Sequence, residues 1–176
     1  DAPIHLYGEA QGDLAGKTLT IVGDVDGDGL DDVLIGVDEN DEYASNAGKA
    51  YLVLGSTLAT TNSLSLSNAD YVFFGESTDD YIGKHVSSAG DVDGDGLADF
   101  LIGAPWANNM YGKAYLILGA SLNTPSMNLA DADIQFTGTK QYEGTGYSVS
   151  SAGDVDGDGL DDILVGSHAN FDGGKA

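Results

Sequence analysis

A ten-residue phrase rich in aspartate occurs three times in this chain. It reads GDVDGDGLDD at 23–32, GDVDGDGLAD at 90–99 and GDVDGDGLDD at 153–162. Counted from its first aspartate, every copy has carboxylates at positions 1, 3, 5 and 9, a glycine at position 6 and a leucine at position 7, which offers its backbone carbonyl. Alternate acids around a tight glycine turn bring their oxygens to one point, and Ca²⁺ takes such an all-oxygen shell.

Each copy of the phrase therefore predicts one calcium site. The expected ligands are Asp24, Asp26, Asp28, Leu30 and Asp32, then Asp91, Asp93, Asp95, Leu97 and Asp99, then Asp154, Asp156, Asp158, Leu160 and Asp162. Position 8 varies between Asp and Ala and is not expected to be a ligand. Mg²⁺ demands a tighter octahedron and retains its waters, so calcium is the better match. Carboxylates so close together repel one another by about 4 kcal/mol per near pair at an effective dielectric of 20, so the ion is predicted to be structural.

The residue types in and after the acidic phrase exclude two other interpretations of it. An EF-hand shares positions 1, 3, 5 and 6 but requires a glutamate at position 12 and flanking helices. Position 12 here is Ile35, Ile102 or Val165, each inside an apolar run. A phosphate-binding glycine loop is excluded because the phrase places carboxylates where a phosphate would lie. Solvated acidic turns would not be expected to recur intact three times.

The similarity between the copies extends to both sides of the acidic phrase, so the unit of repetition is longer. The first aspartates of the three phrases are Asp24, Asp91 and Asp154. Upstream, YVFFGESTDDYIGKHVSSAG at 71–90 aligns with IQFTGTKQYEGTGYSVSSAG at 134–153, and downstream LIGVDENDEYASNAGKAYLVLG aligns with LIGAPWANNMYGKAYLILG. We divide the chain into repeat one at 4–70, repeat two at 71–133 and a truncated repeat three at 134–176.

The segments of each repeat predict four antiparallel strands and no helix. They are short, rich in β-branched and aromatic residues and separated by Gly and Asp. Runs such as VLIG and AYLVLG are apolar throughout, so both faces of each sheet must be covered. HVSSAG and SVSSAG carry small residues, as an innermost strand requires where sheets converge. An all-β fold of four-stranded β-propeller blades is predicted.

At this point the sequence resembles the FG-GAP repeat of integrin α-subunits and of many bacterial secreted proteins. Phe74-Gly75 and Gly103-Ala104-Pro105 bracket the second acidic phrase and carry the resemblance. The outer copies depart from it, with Tyr7-Gly8 and Thr137-Gly138 in place of Phe-Gly. The resemblance implies an extracellular or cell-surface location and a role as an interaction or adhesion module.

The composition excludes several classes of partner. The chain has 29 acidic and 6 basic residues, a net charge of -23 and no cysteine. Nucleic acid and anionic membranes would be repelled, and no apolar run approaches the ~18 residues of a membrane span. His5, His85 and His168 occupy non-equivalent places, and no nucleophile–base set can be assembled, so an enzyme is not expected.

Aromatic and amide residues concentrate in the loops on the side opposite the acidic phrases. The candidate contacts for a protein or glycan ligand are Tyr43, Tyr81, Trp106, Asn108, Asn109, Tyr111 and Tyr142, with Phe171 as a further loop aromatic. Loops on a rigid scaffold often carry binding residues, although aromatics also fill gaps between blades. Trp106 with Asn108, Asn109 and Tyr111 would suit a sugar, so a carbohydrate-binding or accessory domain of a secreted enzyme is the alternative function.

The predicted strands do not complete a ring. They comprise one outer strand, IHLYG, two full blades and two strands of a third. Propellers typically close with about 4 to 8 blades, and the edge near Ile163 to Val165 would be open to pairing. We therefore expect further blades or a homo-oligomer, in which the opening strand of one copy helps to complete the last blade of another.

Overall fold

Short β-strands form nearly all of the regular structure. The computed structural model describes residues 3–75 and 77–168. Its strands are β1 (His5–Tyr7), β2 (Thr18–Gly23), β3 (Asp32–Val37), β4 (Lys49–Val53), β5 (Ser63–Ser65), β6 (Tyr71–Phe74), β7 (His85–Gly90), β8 (Asp99–Ala104), β9 (Lys113–Ile117), β10 (Ser126–Asn128), β11 (Ile134–Thr137), β12 (Thr145–Gly153) and β13 (Asp162–Ser167). No helix among these residues has the length and apolar character to cross a bilayer.

The longer strands build two four-stranded antiparallel blades and part of a third. Blade 1 has the order β2-β3-β4-β6, blade 2 has β7-β8-β9-β11, and blade 3 is described as the pair β12-β13. The predicted all-β fold of antiparallel propeller blades in an incomplete ring is confirmed. Within the described residues β13 pairs with β12 alone, which leaves its other edge without a strand.

Three-residue strands add pairings that the sequence analysis did not predict. β10, from the last connection of blade 2, pairs in parallel with β6 of blade 1. β5, from the same connection of blade 1, pairs in parallel with β1. Blades 1 and 2 therefore each supply a short strand that pairs with the outermost strand preceding that blade, and this pairing ties neighbouring units together at their periphery.

Short helical turns also occur, although no helix was predicted. They are α1 (Gly55–Leu58), α2 (Ala107–Met110) and 3₁₀ turns at Leu66–Asn68, Gly119–Ser121 and Leu129–Asp131. All lie in connections between strands. A single turn is too short to show the apolar period of a helix, so the sequence pattern could not reveal it.

Both faces of blade 2 are buried, as its continuously apolar strands require. One cluster fills the space between blades 1 and 2, and in it the rings of Phe73 and Phe100 meet edge to face at 5.3 Å. A second cluster, around Leu101 and Leu116, fills the space between blades 2 and 3. Burying one such side chain contributes about 1.5 to 3 kcal/mol, so blade stacking supplies much of the stability of the arc.

Glycines on the second strand let the backbones of consecutive blades touch. A Cβ built on Gly36 would lie 2.0 Å from the carbonyl oxygen of Gly83, and one on Gly103 would lie 2.2 Å from that of Gly146. No side chain fits at either position. The innermost strand β7 lies beside both β2 and β12, and its Ser88 hydroxyl donates to the Val22 carbonyl at 2.9 Å.

Candidate metal centre

The three acidic phrases occupy equivalent hairpins, each between the first two strands of a blade. We call them loop 1 (24–32), loop 2 (91–99) and loop 3 (154–162). Because successive strands of a blade are antiparallel, these loops share one rim of the arc, and the connections from second to third strands lie at the other rim. The three loops therefore form a row.

In every loop the carboxylates at positions 1, 3 and 9 converge. One oxygen from each of Asp24, Asp26 and Asp32 lies within 4.8 Å of the other two. The same holds for the two later groups, which are Asp91, Asp93, Asp99 and Asp154, Asp156, Asp162. Three carboxylates at this spacing are the hard oxygen donors that bind divalent cations.

The carboxylate at position 1 shapes the loop through backbone hydrogen bonds. Asp24 accepts from the N–H groups of Gly27 at 2.7 Å, Asp28 at 3.1 Å and Gly29 at 2.8 Å. Gly27 and Gly29 have φ values of 80° and 87°, which glycine adopts without steric cost. The Asp-x-Asp-Gly-Asp-Gly order therefore folds this turn around its first carboxylate.

The carboxylate at position 9 fastens the loop to the body of the blade. Asp32 is fully buried, and its two oxygens accept from the N–H groups of Val25 at 2.9 Å and Gly55 at 2.7 Å. Asp99 is bound in the same way by Val92 at 2.8 Å and Gly119 at 2.9 Å. Burial raises the pKa of both carboxyl groups, and these backbone donors act against the rise.

The fourth carboxylate predicted for each loop, at position 5, is not part of these groups. Asp28, at position 5, is not one of the three converging residues, and its side chain accepts from the Leu30 N–H at 2.8 Å. Asp95 has the same bond to Leu97. The structure thus brings together three of the four carboxylates predicted for each loop.

Neighbouring loops are joined by hydrogen bonds that sequence reasoning missed. The Ala98 N–H, at position 8 of loop 2, donates to the Asp24 carbonyl of loop 1 at 2.8 Å. The Asp161 N–H of loop 3 donates to the Asp91 carbonyl of loop 2 at 3.1 Å, and the Asp161 carboxylate accepts from the Asp91 N–H at 2.9 Å. The residue at position 8 therefore contacts the preceding loop. Because this residue varies between Asp and Ala, the sequence did not indicate the contact.

The donor set suits a hard divalent cation. All three converging groups are carboxylates, and each oxygen that accepts one N–H keeps a further lone pair for a metal. The same arrangement in three loops, on a chain with a net charge of -23, concentrates negative charge along one rim. A cation of the size and preference of Ca²⁺ fits these residues, and it would offset their mutual repulsion.

On the opposite rim, four of the seven candidate partner residues line one cavity. It has a volume of about 710 Å³ and is bounded by Ser77 to Tyr81 and by Trp106 and Asn108 to Met110. Tyr43, Tyr111 and Tyr142 are not among its lining residues. Tyr43 instead stacks on Phe74 at 4.1 Å, whereas Tyr142 is half-exposed and its N–H donates to the Met110 carbonyl at 2.7 Å. Phe171 is outside the described residues.

The cavity has an unusual backbone and a perturbed acid. Five of its lining residues have a left-handed φ, namely Asp79, Tyr81, Asn108, Asn109 and Met110. Such conformations cost free energy and tend to collect at functional sites. Asp80 is nearly buried, and burial raises its pKa to about 6.

Other titratable and aromatic groups make contacts between blades or within one blade. Asp38 is buried in blade 1 and pairs with Lys84 of blade 2 at 2.7 Å. At the next joint Tyr147 stacks on His168 at 4.2 Å and lies 5.5 Å from His85. Lys49 pairs with Glu9 and Glu42, and the equivalent Lys113 donates to Gln135 at 3.0 Å. Their contacts are structural.

The comparisons with known proteins agree with this architecture. A family model described as FG-GAP repeat matches residues 18–53, 85–117 and 145–176. Integrin alpha-PS2 of Drosophila melanogaster is 27% identical over 175 residues, covering 94% of this chain and 12% of its own length. Integrin alpha-7 of Homo sapiens is 30% identical over 167 residues, covering 89% of this chain and 13% of its own length. Integrin alpha pat-2 of Caenorhabditis elegans is 30% identical over 162 residues, covering 83% and 13%.

Proposed function

Because the chain belongs to the FG-GAP repeat family, we propose that it is a calcium-stabilised, integrin-like propeller segment that acts as an extracellular interaction or adhesion module and not as an enzyme. Its curated relatives are integrin alpha chains. The chain spans 12% to 16% of the length of these relatives. The activity of such a larger protein is therefore part of the proposal.

The calcium assignment rests on one observation, namely that three carboxylates converge in each of three loops. Loops 1 and 2 are bound into the blades by the buried position-9 aspartates Asp32 and Asp99, so an ion there would hold the hairpin rather than perform chemistry. Three Ca²⁺ ions would change the formal charge from -23 to -17. The metal thus acts as a folding cofactor whose binding free energy adds to stability.

Thermal unfolding with and without a chelator tests this role. With calcium 100-fold above its dissociation constant, each independent site would add about 2.7 kcal/mol, so EDTA should lower Tm by many degrees. Asp93→Asn should remove part of the calcium-dependent gain, and Asp131→Asn, an exposed acid outside the loops, is the matched control. A melting curve that EDTA leaves unmoved would contradict structural calcium.

The proposed partner site is the rim opposite the metal loops. The cavity supports this choice because it gathers Tyr81, Trp106, Asn108 and Asn109 with a strained backbone, and its volume of about 710 Å³ is that of a small-ligand pocket. A protein ligand is the leading candidate, because the relatives are integrin alpha chains.

A carbohydrate ligand is the second candidate, since an indole beside two amides can stack on and hydrogen-bond a sugar. A glycan array discriminates between the two. Binding that Trp106→Ala abolishes and Tyr142→Ala retains would favour a sugar in the cavity. An array without signal, together with a protein partner that both variants weaken, would favour the adhesion module.

A further inference from the structure

Asp161, at position 8 of loop 3, lies against the first expected metal ligand of loop 2. Its N–H donates to the Asp91 carbonyl at 3.1 Å, and its carboxylate accepts from the Asp91 N–H at 2.9 Å. One residue of loop 3 therefore binds both backbone polar groups of a residue in loop 2. Asp161 is neither one of the converging carboxylates nor a predicted ligand, so the proposed function does not account for this contact.

The side chain of Asp91 is held at the same time from within its own loop. Its carboxylate accepts from the Gly94 N–H at 2.8 Å and from the Gly96 N–H at 3.0 Å. An oxygen of the same carboxylate lies within 4.8 Å of oxygens from the other two converging acids of loop 2. Because Asp161 binds its backbone and two glycines bind its side chain, Asp91 is held with its oxygens toward those acids.

The joint between neighbouring loops leaves room for a side chain at position 8. Gly90, which precedes loop 2, has a φ of 82°, and a Cβ built on it would lie 2.0 Å from a carboxylate oxygen of Asp161. Gly23 precedes loop 1 with a φ of 96°, and a Cβ there would lie 2.9 Å from the Cβ of Ala98. A glycine at both places thus lets the position-8 side chain of the next loop approach the first ligand.

The contact between loops 1 and 2 has the same backbone bond and lacks the carboxylate. The Ala98 N–H donates to the Asp24 carbonyl at 2.8 Å, as Asp161 does to Asp91. The alanine side chain offers no acceptor to the Asp24 N–H. In loop 1 position 8 is Asp31, which makes no such contact with another loop among the described residues. The chain therefore contains an Asp with the full contact, an Ala with its backbone half and an Asp without it.

We propose that Asp161 is a positioning residue for the metal site of loop 2, although it belongs to loop 3. A residue that hydrogen-bonds a metal ligand fixes the orientation of that ligand, and its loss typically lowers metal affinity by about 10- to 100-fold. Asp161 acts through the backbone of Asp91 and does not itself bind the ion. This inference rests on the proposed calcium sites and deepens them, because it makes the affinity of one loop depend on a residue of the next.

A calcium titration followed by two-dimensional amide NMR tests this role one loop at a time. Gly29, Gly96 and Gly159 occupy position 6, and in each loop that glycine N–H donates to the carboxylate at position 1. Each amide signal therefore reports the site of its own loop in the intact chain. Asp161→Ala should weaken calcium binding at loop 2, followed at Gly96, by roughly 10-fold or more.

Two further variants separate positioning from charge and from local damage. Asp161→Asn keeps an oxygen that can accept the Asp91 N–H but removes the charge, so it should restore most of the loop 2 affinity that the alanine variant loses. Asp31→Ala makes the same substitution at position 8 of loop 1 and should leave the loop 2 affinity unchanged. Its effect on loop 1 also gives the size of effect to expect from Asp161→Ala on loop 3.

The reverse substitution tests whether the carboxylate alone is sufficient. Ala98→Asp places a carboxylate next to Gly23, within the joint where loop 1 receives only a backbone bond. It should tighten calcium binding at loop 1, followed at Gly29, and leave loop 3 unchanged. Well-dispersed amide signals from every variant verify that it folds.

The titration separates failure of this role from failure of the metal sites. If no position-6 glycine of the wild type responds to calcium, the proposed metal sites are wrong. If all three respond and Asp161→Ala leaves the loop 2 affinity unchanged, or weakens the three loops equally, only the role of Asp161 is refuted. An asparagine variant as weak as the alanine variant would show that charge and not position is responsible, and it would refute the positioning role as well.

Discussion

The buried aspartates at position 9 have a structural role in addition to the ligand role that we propose for them. The sequence identified them as ligands because their spacing matched an oxygen shell. In the structure Asp32 and Asp99 also accept two backbone hydrogen bonds each, from segments 7 and 20 or more residues away. A linear pattern shows which acids lie close along the chain, but it does not show which distant N–H groups they receive.

Because Asp99 accepts these backbone hydrogen bonds, we expect it to stabilise the protein even when no metal is bound. Asp99→Asn turns one acceptor oxygen into an NH₂ group that faces a backbone N–H, so a buried donor is left unpaired. We expect a loss of about 1 to 3 kcal/mol in the free energy of unfolding, measured with urea in EDTA. Asp95→Asn, at the exposed position 5, should have little effect in EDTA. Equal effects of the two variants would contradict the structural role.

Asp80 should make stability depend on pH. Its pKa is raised by burial from 3.8 to about 6, so its contribution to stability is fully present below its unfolded pKa and is lost as pH rises through about 6. An asparagine at this position does not titrate, so Asp80→Asn should not lose this stability as pH rises. Relative to the wild type, the variant should therefore gain on the order of 1 to 3 kcal/mol between pH 4 and 7.

Urea unfolding of both proteins at several pH values in calcium measures this difference. Asp131→Asn, an exposed acid, serves as the control and should show no such trend. A difference between Asp80→Asn and the wild type that stays constant with pH would contradict the assigned shift.

At the scale of the element, the glycine that ends the second apolar run of blade 1 and of blade 2 is a contact point with the next blade. Gly103→Ala should destabilise the protein by about 1 to 3 kcal/mol, because its Cβ meets the rigid backbone carbonyl of Gly146. Gly166→Ala is the matched control, since that Cβ meets only the Ser148 hydroxyl, which can rotate away. Similar losses of unfolding free energy for the two would refute the close-approach argument.

The strands that stack in the core were predictable, whereas the peripheral ones were not. Runs such as FLIG and AYLIL are made of apolar residues, so their composition alone predicts that they are buried. β5 and β10 have three residues each, in segments rich in Ser and Asn, and they are defined by parallel pairing with β1 and β6. No local pattern distinguishes such a strand from a loop, because its partner is remote in sequence.

At the scale of the whole molecule, repulsion between like charges opposes folding. The chain has a net charge of -23, and three acidic loops share one rim. In EDTA, raising KCl from about 0.05 to about 0.5 M screens this repulsion and should raise Tm. In saturating calcium the same salt change should raise Tm less, because the ions already offset the loop charges. If the same increase in KCl raised Tm equally in EDTA and in calcium, the loop carboxylates would not be the source of the repulsion.

The hydrogen bonds between position 8 and the preceding loop make the three loops unequal. Loop 2 is held from both sides, through Ala98 to loop 1 and through Asp161 from loop 3, whereas among the described residues loops 1 and 3 are each held from one side. A loop that is already ordered loses less entropy when an ion binds, so filling should start at loop 2 and spread outward. Asp93→Asn should then remove the tightest step of a calcium titration, and Asp156→Asn should remove a weaker one.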